Sequence, residues 1–314
     1  MSNVVFLFPG QGSQAKGMLD AFDGVDVVAQ TVSEASEALG YDMAALIRDD
    51  AEDKLGQTEF TQPALLTVST AMVRLWREQG GAEPLQVAGH SLGEYSALVA
   101  AGAIDFVDAV KLVAFRGRAM SAAVPAGVGS MAAILGLDDA VVADLCAEAS
   151  DAAHKVWPAN YNCPGQLVVA GHAEAVARLI EAAKAAGARR ALPLAVSAPS
   201  HTPLMQPAAD QMAAQLAQVE IRAPQCPVWG NAHAAVADAP DAIRAALVEQ
   251  LVSPVRWTET VQQIAAAGVT HAVEMGPGKV LAGLVKRIDR GIKVGSSGSP
   301  EQLQASLALV SDII

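Results

Sequence analysis

Residues 89–93 form a Gly-x-Ser-x-Gly turn between an apolar segment and a stretch of small residues. A serine on a sharp strand-to-helix corner projects its hydroxyl outward, a placement typical of serine nucleophiles. Glycines on either side allow backbones to approach where a Cβ atom would clash. Ser91 would also lie at a helix N-terminus, where peptide N–H groups favour developing negative charge. The pattern predicts nucleophilic chemistry at Ser91, and an ordinary glycine-rich turn is the alternative.

The segment at 9–15, Pro-Gly-Gln-Gly-Ser-Gln-Ala, follows an apolar strand and has two candidate roles. It matches the dinucleotide fingerprint G-x-G-x-x-A, but that motif needs an acid at the end of a second strand about 20 residues later. Residues 31–39 have a helical pattern instead, which disfavours nucleotide binding. Glycines on both sides of Gln11 also suit a backbone nest for an oxyanion. The amides of Gln11 and Leu92 are therefore candidates for an oxyanion hole.

A serine nucleophile needs a base, and the chain has six histidines. His90 lies within the turn itself and cannot easily reach the hydroxyl of its neighbour. His201 stands at a predicted domain junction, where clefts form, and is the first candidate. His271 begins a predicted strand and is the second candidate. The residues alone leave both open. With His201 as the base, activity is expected to fall as the pH drops through the histidine range, near the reference pKa of about 6.5.

Arg116 places a charge on an otherwise apolar face of a predicted helix. Residues 109, 112, 113 and 120 share that face, and all of them are apolar. A guanidinium on a buried stripe requires a partner or hydrogen bonds. A structural ion pair, or a side chain that extends to solvent, would satisfy this requirement. The alternative is an anchor for a substrate carboxylate, which the planar guanidinium fork fits well.

The elements that must position these residues alternate between strands and helices, which indicates an α/β fold. A strand at 4–8, helices at 61–79 and 105–123, and later strands at 227–229 and 271–274 belong to a larger part. Between them, residues 130–196 follow the order βαββαβ, which is typical of a ferredoxin-like unit. Its predicted elements are strands at 130–137, 156–162, 167–170 and 191–196 and helices at 138–150 and 173–186.

These elements predict two domains. The first is a hydrolase-like α/β catalytic domain with a parallel sheet and a nucleophile elbow, formed by residues 1–124 and 198–314. The second is a ferredoxin-like domain inserted at 125–197. The larger domain is expected to resume near Ser197.

Composition and charge disfavour several classes of protein. The net charge of −12 argues against nucleic-acid binding, because neutralising phosphates needs a basic face. No apolar run approaches the roughly 20 residues that span a bilayer, and residues 1–9 have the pattern of a first strand rather than a signal peptide. Cys146, Cys163 and Cys226 are odd in number and unpatterned, which disfavours a disulfide framework or a metal site. We expect a cytoplasmic monomer without metal or bound cofactor.

As a set, six motifs resemble those of the malonyl-CoA:acyl carrier protein transacylases. They occur in order, span residues 8–279 and are far more specific together than the serine turn alone. They are Pro-Gly-Gln-Gly-Ser-Gln at 9–14, Gly-His-Ser-Leu-Gly-Glu at 89–94, Phe-Arg-Gly-Arg-Ala-Met at 115–120, Asn-Cys-Pro-Gly-Gln-Leu-Val-Val-Ala-Gly at 162–171, Ala-Pro-Ser-His at 198–201 and Glu-Met-Gly-Pro-Gly-Lys at 274–279.

The resemblance implies transfer of a malonyl group from malonyl-CoA to the phosphopantetheine thiol of holo-acyl carrier protein, through a malonyl-serine ester. It implies Ser91 as the nucleophile and His201 as its base, which decides between the two histidines. It also implies Arg116 as the clamp on the malonyl carboxylate, and the amides of Gln11 and Leu92 as the oxyanion hole.

The same resemblance implies three further site residues. The backbone carbonyl of Gln250 would orient the base in place of an acid, and Asn160 and Asn162 would border the site. An acidic carrier protein would need a local basic patch on this acidic chain. The candidate residues for that patch are Arg189, Arg190, Lys279, Lys286, Arg287, Arg290 and Lys293.

Two alternatives stay open at this point. A serine esterase or thioesterase would use the same turn with water as the acceptor, but the H-G-G-G-like loop of such enzymes is absent. The chain would also suit the malonyl-transfer subunit of a malonate decarboxylase or of a polyketide system. The sequence does not distinguish malonyl from methylmalonyl substrates.

Overall fold

The computed structural model describes residues 3–196 and 198–311. Within these residues the strands form one six-stranded and one four-stranded sheet. The strands are, in chain order, β1 (Val4–Phe8), β2 (Gln86–Gly89), β3 (Gly129–Leu135), β4 (Val156–Cys163), β5 (Gln166–His172), β6 (Arg190–Pro193), β7 (Val228–Gly230), β8 (Ala235–Val236), β9 (His271–Glu274) and β10 (Lys293–Ser296).

Helices cover both sheets, and short 3₁₀ turns occur at Asp20–Phe22 and Pro203–Met205. No helix in the described part of the chain is long and apolar enough to cross a membrane. The α-helices are α1 (Asp26–Leu39), α2 (Met43–Arg48), α3 (Thr58–Glu78), α4 (Gly93–Ala100), α5 (Phe106–Ala122), α6 (Asp139–Ala149), α7 (Ala173–Ala185), α8 (Gln206–Leu216), α9 (Pro240–Val252), α10 (Trp257–Ala266), α11 (Val280–Ile288) and α12 (Pro300–Ser311).

The six-stranded sheet has the order β10-β9-β1-β2-β7-β8, in which only the β7–β8 pair is antiparallel among the described strands. Its central strand β1 is buried at every position because helices cover both faces of the sheet. Phe6 and Phe8 face the core formed with α3 and α5, whereas Val5 and Leu7 face the core formed with α10 and α11. Side chains that alternate in this way pack helices on both sides of one strand.

The four-stranded sheet has the order β4-β5-β3-β6, and each neighbouring pair is antiparallel. Residues of α6 and α7 pack on one face of this sheet in a separate core. The other face carries a small apolar cluster that includes Met131 and Val168. The chain therefore has an α/β fold with a mixed, mostly parallel sheet and a separate antiparallel sheet.

The predicted strands and helices all occur, with shifts at their ends. The strand predicted at 191–196 ends at Pro193, and Leu194 makes one further bond, from its N–H to the carbonyl of Met131. The helix predicted at 61–79 begins earlier, at Thr58, since the N–H groups of Phe60 and Thr61 donate to the carbonyl of Gln57. The predicted return of the chain near Ser197 falls on a residue outside the described ones.

A short bridge joins the two sheet regions. The N–H of Tyr161 in β4 donates to the carbonyl of Val255, and the N–H of Val255 donates to the carbonyl of Ala159. Val255 lies in the loop between α9 and α10, which packs against the larger sheet. The bridge therefore fixes one edge of the small sheet against the larger part of the chain.

Candidate active site

Ser91 lies on the corner between β2 and α4 with a left-handed backbone conformation, φ 51°. Such a conformation is uncommon for a residue other than glycine and persists only where the surroundings enforce it. A Cβ atom at Gly89 would overlap the backbone of Gly93, and one at Gly93 would overlap the carbonyl oxygen of Phe8. The two glycines thus permit a corner tight enough to lift the Ser91 side chain off the end of the sheet.

The hydroxyl of Ser91 contacts His201, with 2.8 Å between Oγ and Nε2. The other ring nitrogen, Nδ1, donates to the main-chain carbonyl of Gln250 at 2.8 Å. Because a carbonyl can only accept, Nδ1 carries the proton and Nε2 is free to accept one from the serine. His201 is therefore oriented as a base by a backbone carbonyl.

Burial, followed by the positive charge of Arg116, lowers the pKa of His201 to about 3. The imidazole is therefore neutral at physiological pH and can accept a proton from Ser91. The ordinary histidine value of about 6.5, on which the sequence-based expectation rested, does not apply to the folded chain.

His271, the other candidate base, lies far from Ser91. It begins β9 and pairs with Val4, at the amino end of the parallel sheet. Ser91 follows β2 at the carboxyl end of the same sheet, beyond the level of Phe8. The two residues therefore occupy opposite edges of the sheet.

Arg116 projects from α5 into the site and is 1% exposed. Its Nη1 donates to Oε1 of Gln62 at 2.9 Å, and its Nη2 donates to Oε1 of Gln250 at 2.8 Å and approaches Oγ of Ser91 at 3.3 Å. The guanidinium also lies 5.4 Å from the ring centre of Tyr95. These partners are neutral, so the ion pair considered from the sequence is not what holds Arg116. A cation held by neutral groups beside a nucleophile is suited to receive an anionic substrate group.

Gln250 contributes its side chain as well as its carbonyl, which sequence reasoning missed. The side chain is fully buried. Its Nε2 donates to Oε2 of Glu94 at 2.8 Å and to the carbonyl of Ser91 at 3.0 Å. One residue on α9 therefore contacts the base, the cation and the backbone of the serine.

Sequence reasoning also missed Asn231, which lies directly after β7. Its side chain binds the backbone on both sides of the corner at Ser91. Its Oδ1 accepts from the N–H of Ser91 at 2.6 Å, and its Nδ2 donates to the carbonyl of Gly89 at 2.7 Å. Its own N–H donates to Oε2 of Glu94 at 3.0 Å. Among the missed residues, Glu94 carried one signal, because it places a charge on a helix of small apolar residues.

Gln11 and Leu92 both line the cleft with Ser91. Among the described residues, neither backbone N–H donates to a protein acceptor. Free amides in the same cleft as a serine hydroxyl can hold a developing oxyanion.

The cleft, of about 130 Å³, lies between the large and the small sheet. The small-sheet side contributes Met131, Asn160, Val168, Leu194 and Val196. A larger cavity of about 530 Å³ lies between α1 and α2 and contains none of the candidate site residues. The arrangement of chemical groups, not cavity size, therefore identifies the site.

The two predicted asparagines have different positions. Asn160 lines the cleft, and its buried Oδ1 has no hydrogen-bond partner among the described residues. Asn162 is not among the cleft-lining residues described, and its Oδ1 accepts from Nε2 of His90 at 2.8 Å. The His90 ring in turn lies 5.5 Å from that of Trp257. Asn162 thus contacts the neighbour of Ser91 rather than the cleft.

The candidate basic residues are exposed and lie in two groups. Arg189 and Arg190 stand at the start of β6, and Lys286 and Arg287 lie near the end of α11. Arg287 donates to Oε1 of Gln166 at 2.7 Å. Gln166 pairs with Leu135, which pairs with Arg190 on its other side. Arg287 and Arg190 therefore lie at the same end of the small sheet, two strand positions apart.

The fold and the site define a class of protein. The model of the acyl transferase domain family matches residues 5–304, and the chain therefore belongs to this family. No cluster of three or more potential metal ligands occurs in the described part of the chain.

Comparison with named proteins shows which members of the acyl transferase family this chain is similar to. The malonyl CoA-acyl carrier protein transacylase of Escherichia coli strain K12 is 53% identical over 310 residues, which cover 98% of this chain and 100% of the relative. The acyl-carrier-protein S-malonyltransferase of Burkholderia pseudomallei 1710b has a crystal structure with a TM-score of 0.96 and 54% identity, covering 98% and 100% of the two chains. The resemblance to malonyl-CoA:acyl carrier protein transacylases is confirmed.

A further solved structure shows a malonyl-transacylase in complex with a type II polyketide acyl carrier protein. It has a TM-score of 0.95 and 50% identity, and the match covers 98% of this chain and 99% of that one.

The neutral state of His201 predicts the pH dependence of Ser91 reactivity. We expect the rate of Ser91 labelling by a fluorophosphonate probe to stay nearly constant from about pH 7.5 to about pH 5.5, because the imidazole stays unprotonated across this interval. Mass spectrometry of the labelled peptide measures the rate, and His201→Ala should abolish rapid labelling. A fall with a midpoint near 6.5 would contradict the assignment.

The low pKa of His201 also limits the pH range of the labelling experiment, because it makes the folded chain less stable at low pH. Unfolded histidine binds a proton at about 6.5, whereas His201 in the folded chain does so only near 3. The unfolded state therefore binds more protons between these values, so this residue makes stability fall as the pH decreases through the interval. Circular dichroism at each pH identifies the range in which the chain is folded.

Proposed function

We propose that this chain transfers the malonyl group of malonyl-CoA to the phosphopantetheine thiol of an acyl carrier protein, through an ester on Ser91. The observation that carries the proposal is the 2.8 Å contact between Ser91 and His201 beside the buried cation of Arg116. The activity named for the full-length relatives supports the same reaction.

The first half-reaction forms the ester. His201 takes the proton of Ser91 through Nε2 as Oγ bonds to the thioester carbonyl carbon. The electron pair of the C=O bond moves to oxygen, and the amides of Gln11 and Leu92 donate to that oxyanion. When the intermediate collapses, the C–S bond breaks and the departing CoA sulfur takes the proton from His201. The malonyl group remains on Ser91.

The second half-reaction runs in the opposite sense. His201 takes the proton of the phosphopantetheine thiol as its sulfur attacks the ester carbonyl carbon. The same two amides stabilise the second oxyanion, and the C–O bond to Ser91 breaks as His201 returns the proton to Oγ. The chain needs no bound cofactor for this sequence, because His201 both accepts and returns the proton.

Arg116 supplies selectivity for an acyl group with a free carboxylate. Its charge is buried, so an anion that reaches it is weakly screened by water. The ester carbonyl must lie at Ser91 Oγ, which Nη2 of Arg116 approaches at 3.3 Å. A malonyl group places a carboxylate one methylene beyond its ester carbonyl, within reach of the guanidinium. An acetyl group has no such contact.

We also infer that the large part is hydrolase-like and that the small part is a ferredoxin-like insertion. The order β4-β5-β3-β6 with helices between β3 and β4 and between β5 and β6 supports the second assignment. The corner at Ser91, between a parallel strand and a helix, supports the first. The proposed domains are 1–124 with 198–314, and 125–197. A cytoplasmic, monomeric enzyme of fatty acid biosynthesis completes the proposal.

Labelling with malonyl-CoA tests the reaction. Brief incubation should add one malonyl group on Ser91, and holo-acyl carrier protein should then remove it, because the ester is an intermediate. Intact-mass and peptide mass spectrometry follow both steps, with carriers from fatty acid and polyketide systems. Ser91→Ala should abolish labelling and keep the native circular dichroism spectrum. An adduct on another residue, or loss of the label to water at the same rate without a carrier, would contradict the proposal.

The role of Arg116 predicts a difference between two substrates. Arg116→Ala should slow malonyl transfer to Ser91 by about 100-fold or more, since a buried charge-assisted pair is lost, and should leave acetyl transfer almost unchanged. Single-turnover rates with malonyl-CoA and acetyl-CoA measure both. Arg118→Ala, an exposed arginine on the same helix, is the matched control and should change neither rate. Equal losses on both substrates would make Arg116 structural.

The basic residues around the end of the small sheet are proposed to dock the carrier. Arg190→Glu and Lys286→Glu should each raise the apparent KM for the carrier protein, and high salt should reduce the difference because it screens charges beyond about 8–10 Å. Malonylation of Ser91 from malonyl-CoA should stay near normal. Lys111→Glu, an exposed charge reversal on α5, is the control. If both half-reactions fell together, the patch would bind the phosphates of CoA instead.

A further inference from the structure

Glu94 is a buried carboxylate that the reaction described above does not use. It lies on the first turn of α4 and is 3% exposed. It is not among the cleft-lining residues that the structure describes, so it does not meet the acyl group. Burial raises its pKa to about 7, and hydrogen bonds from Gln250 and Asn231 oppose that rise. A charge buried at this cost calls for a role in the network around it.

The Glu94 carboxylate is one of three groups that fix which way the Gln250 carboxamide points, and the one that carries a negative charge. Oε2 of Glu94 and the carbonyl of Ser91 both accept from Nε2 of Gln250, at 2.8 and 3.0 Å. With the amide nitrogen held there, Oε1 must face Nη2 of Arg116, which it does at 2.8 Å. The reversed carboxamide would set an oxygen against a carboxylate and an NH₂ group against a guanidinium, and both contacts are repulsive.

The same Glu94 oxygen also anchors Asn231. It accepts the N–H of Asn231 at 3.0 Å, and the Asn231 side chain binds the N–H of Ser91 and the carbonyl of Gly89. Glu94 therefore reaches Arg116 by one route and the nucleophile corner by another. The route through Gln250 to Arg116 would affect the choice between acyl groups. The route through Asn231 to the Ser91 corner would affect the rate with every acyl group equally.

We propose that Glu94 is a positioning residue that orients the Gln250 carboxamide and thereby holds Arg116 where it receives the substrate carboxylate. This inference rests on the proposed function, because it concerns the choice between acyl groups with and without a carboxylate. Glu94 reaches Arg116 through Gln250 and has no contact with the reacting atoms. Its removal should therefore change substrate preference as well as rate.

The test compares malonylation and acetylation of Ser91 in single turnovers at about pH 8, which is above the Glu94 pKa of about 7, so most of the carboxyl is ionised. Glu94→Ala should lower the ratio of malonyl to acetyl rate constants by about tenfold or more, because the freed carboxamide can turn its NH₂ group toward Arg116. A purely structural role would lower both rates by the same factor. An unchanged ratio would overturn the proposal.

Glu94→Gln covers the case in which the alanine variant does not fold. It keeps the volume and one acceptor oxygen but replaces a charge-assisted hydrogen bond by a neutral one of roughly half the strength. We expect the ratio to fall by about threefold and to recover toward the native value in Glu94→Asp wherever the shorter carboxylate still meets Nε2 of Gln250. A native ratio in Glu94→Gln would also overturn the proposal.

Two controls isolate the route through Arg116. In an Arg116→Ala background, Glu94→Ala should leave the ratio unchanged, since the residue that reads the carboxylate is already gone. Glu274→Gln neutralises another buried carboxylate, which accepts from the N–H groups of Leu281 and Ala282 at the start of α11. That variant should not alter the ratio in the native background.

The failure of this inference differs from failure of the proposed function. If the native chain formed no malonyl ester on Ser91, the proposed function would be wrong. If the native chain formed the ester and the ratio were independent of Glu94, only the inference about Glu94 would be wrong. If Glu94→Ala lowered the malonyl-to-acetyl ratio further in the Arg116→Ala background, Glu94 would not act through Arg116, and the inference would again be wrong.

Discussion

The arrangement of the site depends on one constraint, a guanidinium buried beside the nucleophile without a carboxylate in direct contact. Arg116 is stabilised by the oxygen atoms of Gln62 and Gln250 and by the ring of Tyr95. A buried charge must be matched by oriented dipoles or by a counter-ion, or it loses its charge. Here oriented dipoles contact the guanidinium directly, and the Glu94 carboxylate lies behind one of them, the Gln250 carboxamide. The side chains around Arg116 must therefore be held rigidly, because a dipole that turns would repel the cation.

The parallel sheet supplies this rigidity. Ser91 follows β2, Asn231 follows β7, and the loop with Gln11 follows β1, so three neighbouring strands deliver residues to one edge. Helix α5 places Arg116 beside the hydroxyl of Ser91, and α9 places the Gln250 side chain against the carbonyl of Ser91. Each of these residues is held by hydrogen bonds to distant parts of the chain rather than by its own loop. The bond from the N–H of Ser91 to Oδ1 of Asn231 is one example. The geometry at the reacting atoms thus depends on the folding of the whole larger part.

This dependence explains which parts of the site the sequence could predict. Ser91 and Arg116 were predictable because a tight turn and a helical stripe are local patterns. The partner of Ser91 was not, because the residues left both His201 and His271 open. The family resemblance was needed to choose between them. The side chain of Gln250 and the role of Asn231 had no local signal, because each acts across more than a hundred residues of chain. The neutral state of His201 follows from its burial, which cannot be predicted from the spacing of residues along the sequence.

The small sheet depends on the same segment of chain that supports the base. Val255 bridges to β4 next to Asn160, a few residues after Gln250, whose carbonyl accepts a hydrogen bond from Nδ1 of His201. The far wall of the cleft and the orientation of the base are therefore tied to one stretch, 250–257. Asn162 adds a second tie, through His90 beside the nucleophile. The position of the small sheet and the orientation of the His201 ring are therefore both fixed by contacts of residues 250–257 and of the segment around Ser91.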